Sequence, residues 1–457
     1  MRNLETAGLY ELFLECKAAV CTDSRSVKDG DMFFALKGEN FDGNNYACQA
    51  LGKGAAYAVI DSGDVYEANA GLQDRLVLVE DVLTALQQLS RYNRLKHKIP
   101  VIALTGTNGK TTTKELITAT LATKYNVVAT AGNLNNHIGV PLTLLGINDE
   151  TQVAVVEMGA SAPGEIDTLV NLVCPSFGLI TNVGKAHLLG FGSFEGVKKT
   201  KGELYDNLSE HKKIAFVNVD NPHLMEMVQQ RDTLHIVPYG LKNNCAEIVA
   251  NEQGNPFLKL VIPNPCSTCE PARIEVKTNL IGKYNADNVL AALCISSYLD
   301  VPTEDAVAAI EAYKPSNNRS QMSETEKNTL IIDAYNANPT SMRASVENFD
   351  TLDLPGKILV LGDMRELGED SLKEHCSIIE YLQQVNVERI FLVGEEFRKA
   401  FGILGQSESG AAWNIPVMLF DDSIQLREYL LKEPVLKKTI LVKGSRGIRL
   451  ERIFDVL

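Results

Sequence analysis

The sequence predicts an α/β protein of three domains: a small N-terminal α/β domain over 1–97, a central parallel-sheet domain over 98–315 and a C-terminal Rossmann-like α/β domain over 316–457. Three observations predict it. The 457 residues exceed several-fold the roughly 100–200 of a single domain. Short, wholly apolar runs recur between turns and amphipathic stretches, as buried parallel strands alternating with helices do. The pattern also breaks twice, at His97-Lys98-Ile99-Pro100 and at Tyr313-Lys314-Pro315-Ser316-Asn317-Asn318.

The first segment carries strand-like runs at Met32–Leu36, Ala56–Ile60 and Leu76–Val79, separated by Gly- and Asp-rich turns. The second opens on Val101-Ile102-Ala103-Leu104 and continues with Val153–Val156, Phe177–Ile180 and Ile214–Val217, with an amphipathic stretch from Thr111 to Lys124. In the third, strands are expected at Thr329–Ile332, Lys357–Leu361, Ile390–Val393 and Ile440–Val442.

Composition narrows the function. Hydrophobic residues at 45% and charged residues at 22% are ordinary for a globular protein with real cores. A net charge of −14 argues against nucleic acid, whose phosphates need a basic face. Small anions remain possible, held by a helix N-terminus and a few cations. Nine scattered cysteines fit reduced thiols and a cytosolic setting. The single C-x-x-C, Cys266 to Cys269, has no second pair nearby and reads as a loop with two free thiols. The N-terminus has no apolar stretch of the signal-peptide kind, and nowhere do about 18 apolar residues run together, so no membrane span is expected.

The strongest motif is Leu104-Thr105-Gly106-Thr107-Asn108-Gly109-Lys110-Thr111-Thr112-Thr113, a strand that ends in a Gly-rich turn and starts a helix at Gly-Lys-Thr. Glycines let the backbone N–H groups converge on a phosphate chain, and the helix N-terminus adds partial positive charge. Lys110, expected in an exposed loop, would reach the β/γ-phosphates, and the Thr111 hydroxyl would ligate Mg²⁺. The loop is shorter than the general P-loop: two residues separate Gly106 from Gly109 instead of four, and Ala103 stands where the first glycine would fall. Glu157 closes the run Val153–Val156 and is expected at the carboxyl end of a parallel strand, where a carboxylate suits a hard cation; a solvated loop carboxylate is the alternative. His187 alone reads as a structural histidine, and Lys198, Lys199 and Lys201 as a solvated helical face.

Thr105-Gly106-Thr107-Asn108-Gly109-Lys110-Thr111-Thr112 resembles the ATP loop of the Mur ligases and the related folylpolyglutamate synthases. The resemblance covers essentially the whole chain: Gly132–Pro141, Glu157–Ser161, Asn182–Leu188, Gly192–Val197 and Lys201-Gly202-Glu203 in the middle, and Asp333–Pro339, Leu361–Gly368 and Lys443–Gly447 toward the end.

The resemblance implies an N-terminal domain that binds a UDP-sugar substrate, a central P-loop ATPase domain and a C-terminal domain that binds the acceptor. By the same resemblance the cofactors would be ATP and two Mg²⁺ ions, with metal contacts from Thr111, Glu157, His187 and a Lys201 carbamylated by CO₂. Nucleotide contacts would fall to Gly106, Thr107, Asn108, Gly109, Lys110, Thr111, Thr112, Asn285, Asn288, Arg319 and Asp333. The catalytic group would be Lys110, Lys201, His187 and Arg319. Asn285 and Asn288 would face adenine, although Tyr284 stands where the family usually has His and an Asn-rich helix cap is a rival reading. Substrate contacts would come from Ser24, Arg25, Asn135, Asn136, Tyr335 and Asn336, with an Asp-Ser turn the rival for the first two.

The Tyr335-Asn336-Ala337-Asn338-Pro339 and Gly362-Asp363-Met364 blocks imply joining of D-Ala-D-Ala to UDP-N-acetylmuramoyl-tripeptide, by a monomer in the cytoplasm. The chain has no Asp-Asn-Pro-Arg block of the kind diaminopimelate-adding members carry. Two rival readings stay open at this point: another ligase of the superfamily, and a regulatory P-loop ATPase that hydrolyses ATP without an acceptor.

Overall fold

The computed structural model describes residues 5–17, 19–250, 254–263, 273–316, 318–405 and 413–457. Met1 to Leu4, the Cys266–Cys269 pair and Asn317 lie outside the described residues. The chain forms three α/β domains, each around its own sheet, and no described helix is long and apolar enough to cross a membrane.

The first domain is a four-stranded parallel sheet in the order Val20–Cys21, Met32–Phe34, Tyr57–Ile60, Leu76–Leu78. The helix Val82–Lys96 leads out of it. Asp81 starts that helix by accepting the Thr84 N–H at 2.7 Å. Its last turns bolt the first domain to the second through backbone carbonyls. Asn93, 1% exposed, donates to the carbonyls of Leu144 and Ile147, both at 2.9 Å. Arg94 donates to those of Val173 at 3.0 Å and Cys174 at 3.1 Å.

The central sheet has six parallel strands in the order His235–Tyr239, Ile214–Asn218, Phe177–Ile180, Val101–Thr105, Val153–Glu157, Val127–Ala129. Val101–Thr105 is buried throughout, and its side chains alternate between two cores. Ile102 and Leu104 point to the helices Lys110–Leu121 and Asn285–Tyr298, while Val101 and Ala103 point to Glu165–Val173 and Phe194–Glu210. Covering on both faces is why these strands read as unbroken apolar runs.

Within the central domain the structure departs from the expected strand–helix alternation in one place. Glu247–Ile248, Phe257–Pro263 and Arg273–Ile281 form an antiparallel three-stranded sheet. Only one of its faces joins the core, through Leu258, Leu260, Ile262, Val276 and Leu280, so charged Lys259, Glu275 and Lys277 interrupt the apolar signal.

In the third domain six strands run in the order Gln321–Glu324, Thr329–Asp333, Thr439–Lys443, Lys357–Gly362, Arg389–Val393, Val417–Phe420, all parallel except the first. The second and third sheets turn their carboxyl ends toward the same space, where ligands of open parallel sheets gather.

The Asn93 joint sets how the first two domains sit together. Asn93→Ala takes its amide from the Ile147 carbonyl, at about 1–3 kcal/mol for a buried group left unpaired, while the Leu144 carbonyl keeps the Ile147 N–H at 3.2 Å. The expected outcome is a lower thermal unfolding midpoint by calorimetry; an unchanged midpoint would mean these bonds add no net stability.

Candidate active site

A cavity of about 840 Å³ opens between the carboxyl ends of the two sheets. Residues 107–112 and Glu157 line it from the central domain, and Arg319, Asp333, Tyr335, Asn336, Asn338 and Lys443 from the C-terminal one.

The phosphate loop is strapped to the end of the neighbouring strand. Thr107 N–H donates to the Asn182 carbonyl at 2.9 Å, and Asn108 N–H to Asn182 Oδ1 at 3.0 Å. Asn182 Nδ2 and Thr181 Oγ1 both donate to the Asn108 carbonyl, at 3.0 and 2.7 Å. Gly106, at φ 144°, passes so close that a Cβ there would collide with the Thr181 hydroxyl. Lys110 differs from the exposed loop residue expected. It is the first residue of the helix, half-buried, and its ammonium donates to the carbonyls of Gly106 at 2.7 Å and Thr107 at 3.0 Å. Desolvation takes its pKa down to about 8.

Glu157 ends its strand at 1% exposure. Its Oε1 accepts from Asn135 Nδ2 at 2.7 Å and from Thr111 Oγ1 at 3.3 Å. Its Oε2 is buried with no hydrogen-bond partner, and the Lys114 ammonium stands 4.0 Å away. Leaving a buried carboxylate oxygen bare is costly, so this geometry fits a hard cation held by the Thr111 and Glu157 oxygens. Among the described residues no cluster of three or more His, Cys, Asp and Glu forms a ready-made metal cage. A Mg²⁺ that keeps several waters and phosphate oxygens needs none.

The three lysines after Phe194 separate cleanly. The Lys198 ammonium is held by Glu226 at 2.6 Å, which raises its pKa. Lys199 is exposed. Lys201 is 2% exposed, and its amine has no carboxylate partner: it makes a long bond to the Ala160 carbonyl at 3.4 Å and lies 5.5 Å from the centre of the Phe191 ring. Burial, and then the charge of Lys110, take the Lys201 pKa down to about 7. Lys201 stands just behind the cavity wall, where Ala160 lines it.

His187 lines the cavity in the left-handed region, at φ 50°. Its Nδ1 is bonded to Glu366 Oε2 of the C-terminal domain at 2.6 Å. Arg319 stacks its guanidinium 3.6 Å from the centre of the Tyr335 ring, with Arg446 toward the same ring at 5.7 Å. Arg319 Nε is buried without a partner. Asp333 Oδ2 is bonded to Lys443 at 2.6 Å and to Ser345 Oγ at 2.8 Å, which holds its carboxyl below the usual range despite burial.

Other expected residues fall differently. Asn285 and Asn288 line the cavity, but their amides are engaged within the protein: Asn285 Nδ2 donates to the Ile281 carbonyl, and Asn288 takes the Thr113 hydroxyl and donates to Asn285 Oδ1. Asn288 also buttresses Gly109, where a Cβ would meet its amide oxygen at 2.7 Å. Asn136 accepts from the N–H groups of Ile138 and Gly139, and Asn336 from that of Ala337. Ser24 and Arg25 lie in the first domain after the strand Val20–Cys21 and do not line this cavity; Arg25 pairs with Asp23 at 2.8 Å.

Sequence reasoning missed Asn182, Asn338 and Lys443. Asn338 caps the helix Pro339–Thr351 and donates to Asn108 Oδ1 at 2.7 Å across the domain boundary. Its Asn-Pro helix start was a legible signal. Lys443 ends the strand begun at Thr439, and the strand-end logic used for Glu157 would have found it.

Known proteins resemble the chain along its length. Residues 18–94 match the model "Mur ligase family, catalytic domain", residues 104–296 "Mur ligase middle domain" and residues 318–446 "Mur ligase, glutamate ligase domain". UDP-N-acetylmuramoyl-tripeptide–D-alanyl-D-alanine ligase of Bacillus subtilis (strain 168) is 34% identical over 95% of this chain and 92% of its own. The enzyme of that name from Escherichia coli (strain K12) is 32% identical over 96% and 93%. Among solved structures, MurF from Acinetobacter baumannii superposes with a TM-score of 0.82 at 29% identity, covering 97% of each chain. MurF ligase from Thermotoga maritima in complex with ADP gives 0.77 at 28%, covering 96% of each. Matched domain by domain, and alike in sequence to these ligases over nearly its full length, the chain belongs to the Mur ligase family.

Proposed function

We propose that this chain joins D-Ala-D-Ala to UDP-N-acetylmuramoyl-tripeptide at the expense of ATP, giving UDP-N-acetylmuramoyl-pentapeptide for peptidoglycan synthesis. The observation that carries this reading is the convergence, on one cavity, of a nucleotide loop from the central domain and the Tyr335–Asn338 segment from the C-terminal domain. Relatives of that activity at 32–34% identity over 95–96% of the chain support it. Residues 1–97 would hold the UDP-sugar, with Ser24 and Arg25 at uracil or phosphate; 98–315 would hold ATP, and 316–457 the acceptor. The enzyme acts as a monomer in the cytoplasm.

In the first step the terminal carboxylate of the tripeptide attacks the γ-phosphorus of ATP, forming an acyl phosphate and releasing ADP. The amine of D-Ala-D-Ala then attacks the acyl carbon, the new C–N bond forms, and phosphate leaves with its bonding electrons. Catalysis of such a transfer is mostly positioning and charge neutralisation. Lys110 and the helix N-terminus behind it face the phosphate chain, and the unpartnered Arg319 Nε is a donor ready for it. Mg²⁺, held by Thr111 and Glu157 and at a second position by His187 and the Lys201 carbamate, supplies further charge neutralisation when bound. Asp333 and Lys443, fixed to each other, present a rigid polar wall. Asn285 and Asn288 stand at the adenine end, and Asn135, Asn136, Tyr335 and Asn336 at the peptide.

Lys201 is the favoured carbamylation site because it is the buried, unpaired lysine of the three. At its pKa of about 7 a large share of the amine is neutral near pH 7. The neutral amine adds to CO₂, forms an N–C bond and loses a proton, leaving an oxygen-bearing anion suited to Mg²⁺.

Lys110→Ala should lower ADP formation by about 10²-fold or more while the thermal midpoint stays the same or rises, since a desolvated ammonium is removed. Wild-type turnover in that variant sinks the phosphate-loop assignment. Lys201→Ala should lose most activity and Lys201→Glu slightly less. Activity of CO₂-depleted enzyme should recover with bicarbonate, and more readily as pH rises through about 7. Mass spectrometry under neutral conditions should find the added carboxyl on Lys201; finding it on Lys198 or Lys199 moves the site. Sustained ADP release with UDP-N-acetylmuramoyl-tripeptide should require D-Ala-D-Ala, and single D-Glu, L-Lys or diaminopimelate should not replace it. Turnover with L-Glu on a folate, or hydrolysis indifferent to any acceptor, would overturn the reading.

A further inference from the structure

Two short loops interlock across the boundary between the central and C-terminal domains. From the central domain comes the segment 184–189, which carries His187. Opposite it is the segment 363–368, which succeeds the strand Lys357–Gly362. His187 Nδ1 meets Glu366 Oε2 at 2.6 Å, and the Leu189 N–H donates to the Glu366 carbonyl at 3.3 Å. One step along, Lys185 pairs with Glu374 at 2.6 Å. A Cβ on Gly368 would lie 3.4 Å from the Leu189 side chain, so the two backbones run in close contact.

The backbone gives a second, independent indication. His187 sits at φ 50° and Glu366 at φ 65°. Both are non-glycine residues in the left-handed region, where such side chains are disfavoured and where strain collects at functional sites. The two residues face each other in this conformation and are joined through their side chains, with His187 32% and Glu366 58% exposed.

The ring chemistry says what the contact does. A carboxylate accepts only, so the 2.6 Å contact puts a proton of His187 on Nδ1, and in the neutral ring Nε2 is then the nitrogen that carries the lone pair. Phe191 meets the ring edge-on at 6.2 Å between centres and limits its rotation. We propose that Glu366 is a positioning residue: it sets the tautomer and orientation of His187 and so makes the phosphate side of the cavity depend on docking of the 363–368 loop. This rests on the reading of His187 as a cavity ligand. The nucleotide half is then assembled only when the C-terminal domain is seated, which ties the first chemical step to the domain that brings the acceptor.

The test uses the full chain with Glu366→Gly and Glu366→Asn, both suited to a left-handed backbone and both without reach to His187. Glu366→Gln, which still offers an acceptor oxygen, is the rescue. In the unliganded enzyme, nitrogen chemical shifts of the His187 ring should report the Nδ1–H tautomer in the wild type and in Glu366→Gln. In the Gly and Asn variants they should move toward the Nε2–H form. The thermal midpoint should hold or rise, and kcat should fall about 10- to 100-fold, as for other partners that orient a ligating histidine. Recovery in Glu366→Gln should be at least partial, and KM for the UDP-linked substrate should change little. Unchanged ring shifts, or wild-type kcat in the Gly and Asn variants, overturn the proposal. His187→Ala separates the two levels: full activity there removes the reading of His187 itself. An inactive His187→Ala beside fully active Glu366 variants removes only the role of Glu366.

Discussion

Most of the polar groups at the heart of this molecule hang from, or just beyond, the carboxyl end of a parallel strand, and two sheets point those ends at one another. Glu157, Asp333 and Lys443 are the last residues of their strands, and the phosphate loop begins where Thr105 stops. A parallel strand delivers its final residue at a fixed height and direction, held by bonds from both neighbours. Side chains from distant parts of the chain can therefore meet with little freedom left to lose. The arrangement also concentrates charge: a protein of net charge −14 gathers Lys110, Lys114, Lys201 and Arg319 near one another, with Glu157 beside Lys110 and Lys114, and Glu165 and Glu203 acting on Lys201.

That concentration has an energetic cost visible in the lysines. Burial lowers the pKa of Lys110, Lys114 and Lys201 alike, so each ammonium is held in surroundings that disfavour it. The unfolded chain binds these protons more tightly, so this part of the structure gains stability as pH rises above about 7 toward the ordinary lysine range. The same discomfort is useful. Phosphate oxygens would replace the carbonyls that now receive the Lys110 ammonium, and a neutral Lys201 amine is available for chemistry that an ordinary surface lysine cannot undertake.

Much of the frame was legible in the sequence because buried parallel strands must be apolar along their whole length. Val101–Leu104, Val153–Val156 and Ile390–Val393 could hardly be read otherwise, and the Gly-Lys-Thr turn marked where a helix begins. The antiparallel excursion at Glu247–Ile281 was not legible, since a sheet covered on one face mixes Lys and Glu with its core residues. Nor was the environment of Lys110, because enclosure by carbonyls of its own loop is a property of the turn and not of the residue. Asn285 and Asn288 line the cavity, and what the motif could not show is that their amides also bond to Ile281 and Thr113. Pairs such as Asn108 with Asn338, or His187 with Glu366, join residues far apart in the chain, and no local pattern announces them.

The two joints between domains are made of different material. At the first, Asn93 and Arg94 hold main-chain carbonyls of Leu144, Ile147, Val173 and Cys174. Every residue has a carbonyl, so the four receiving positions can drift in side-chain identity without loosening that joint. At the second, one main-chain bond joins Leu189 to Glu366, and the other links named above are side chain to side chain: Lys185 to Glu374, His187 to Glu366, Asn338 to Asn108. There a change at either partner breaks a link, and repair needs a matching change on the other side. The first joint is therefore robust to mutation, whereas the second must co-evolve, so a C-terminal domain transplanted from a distant relative would fold but seat poorly.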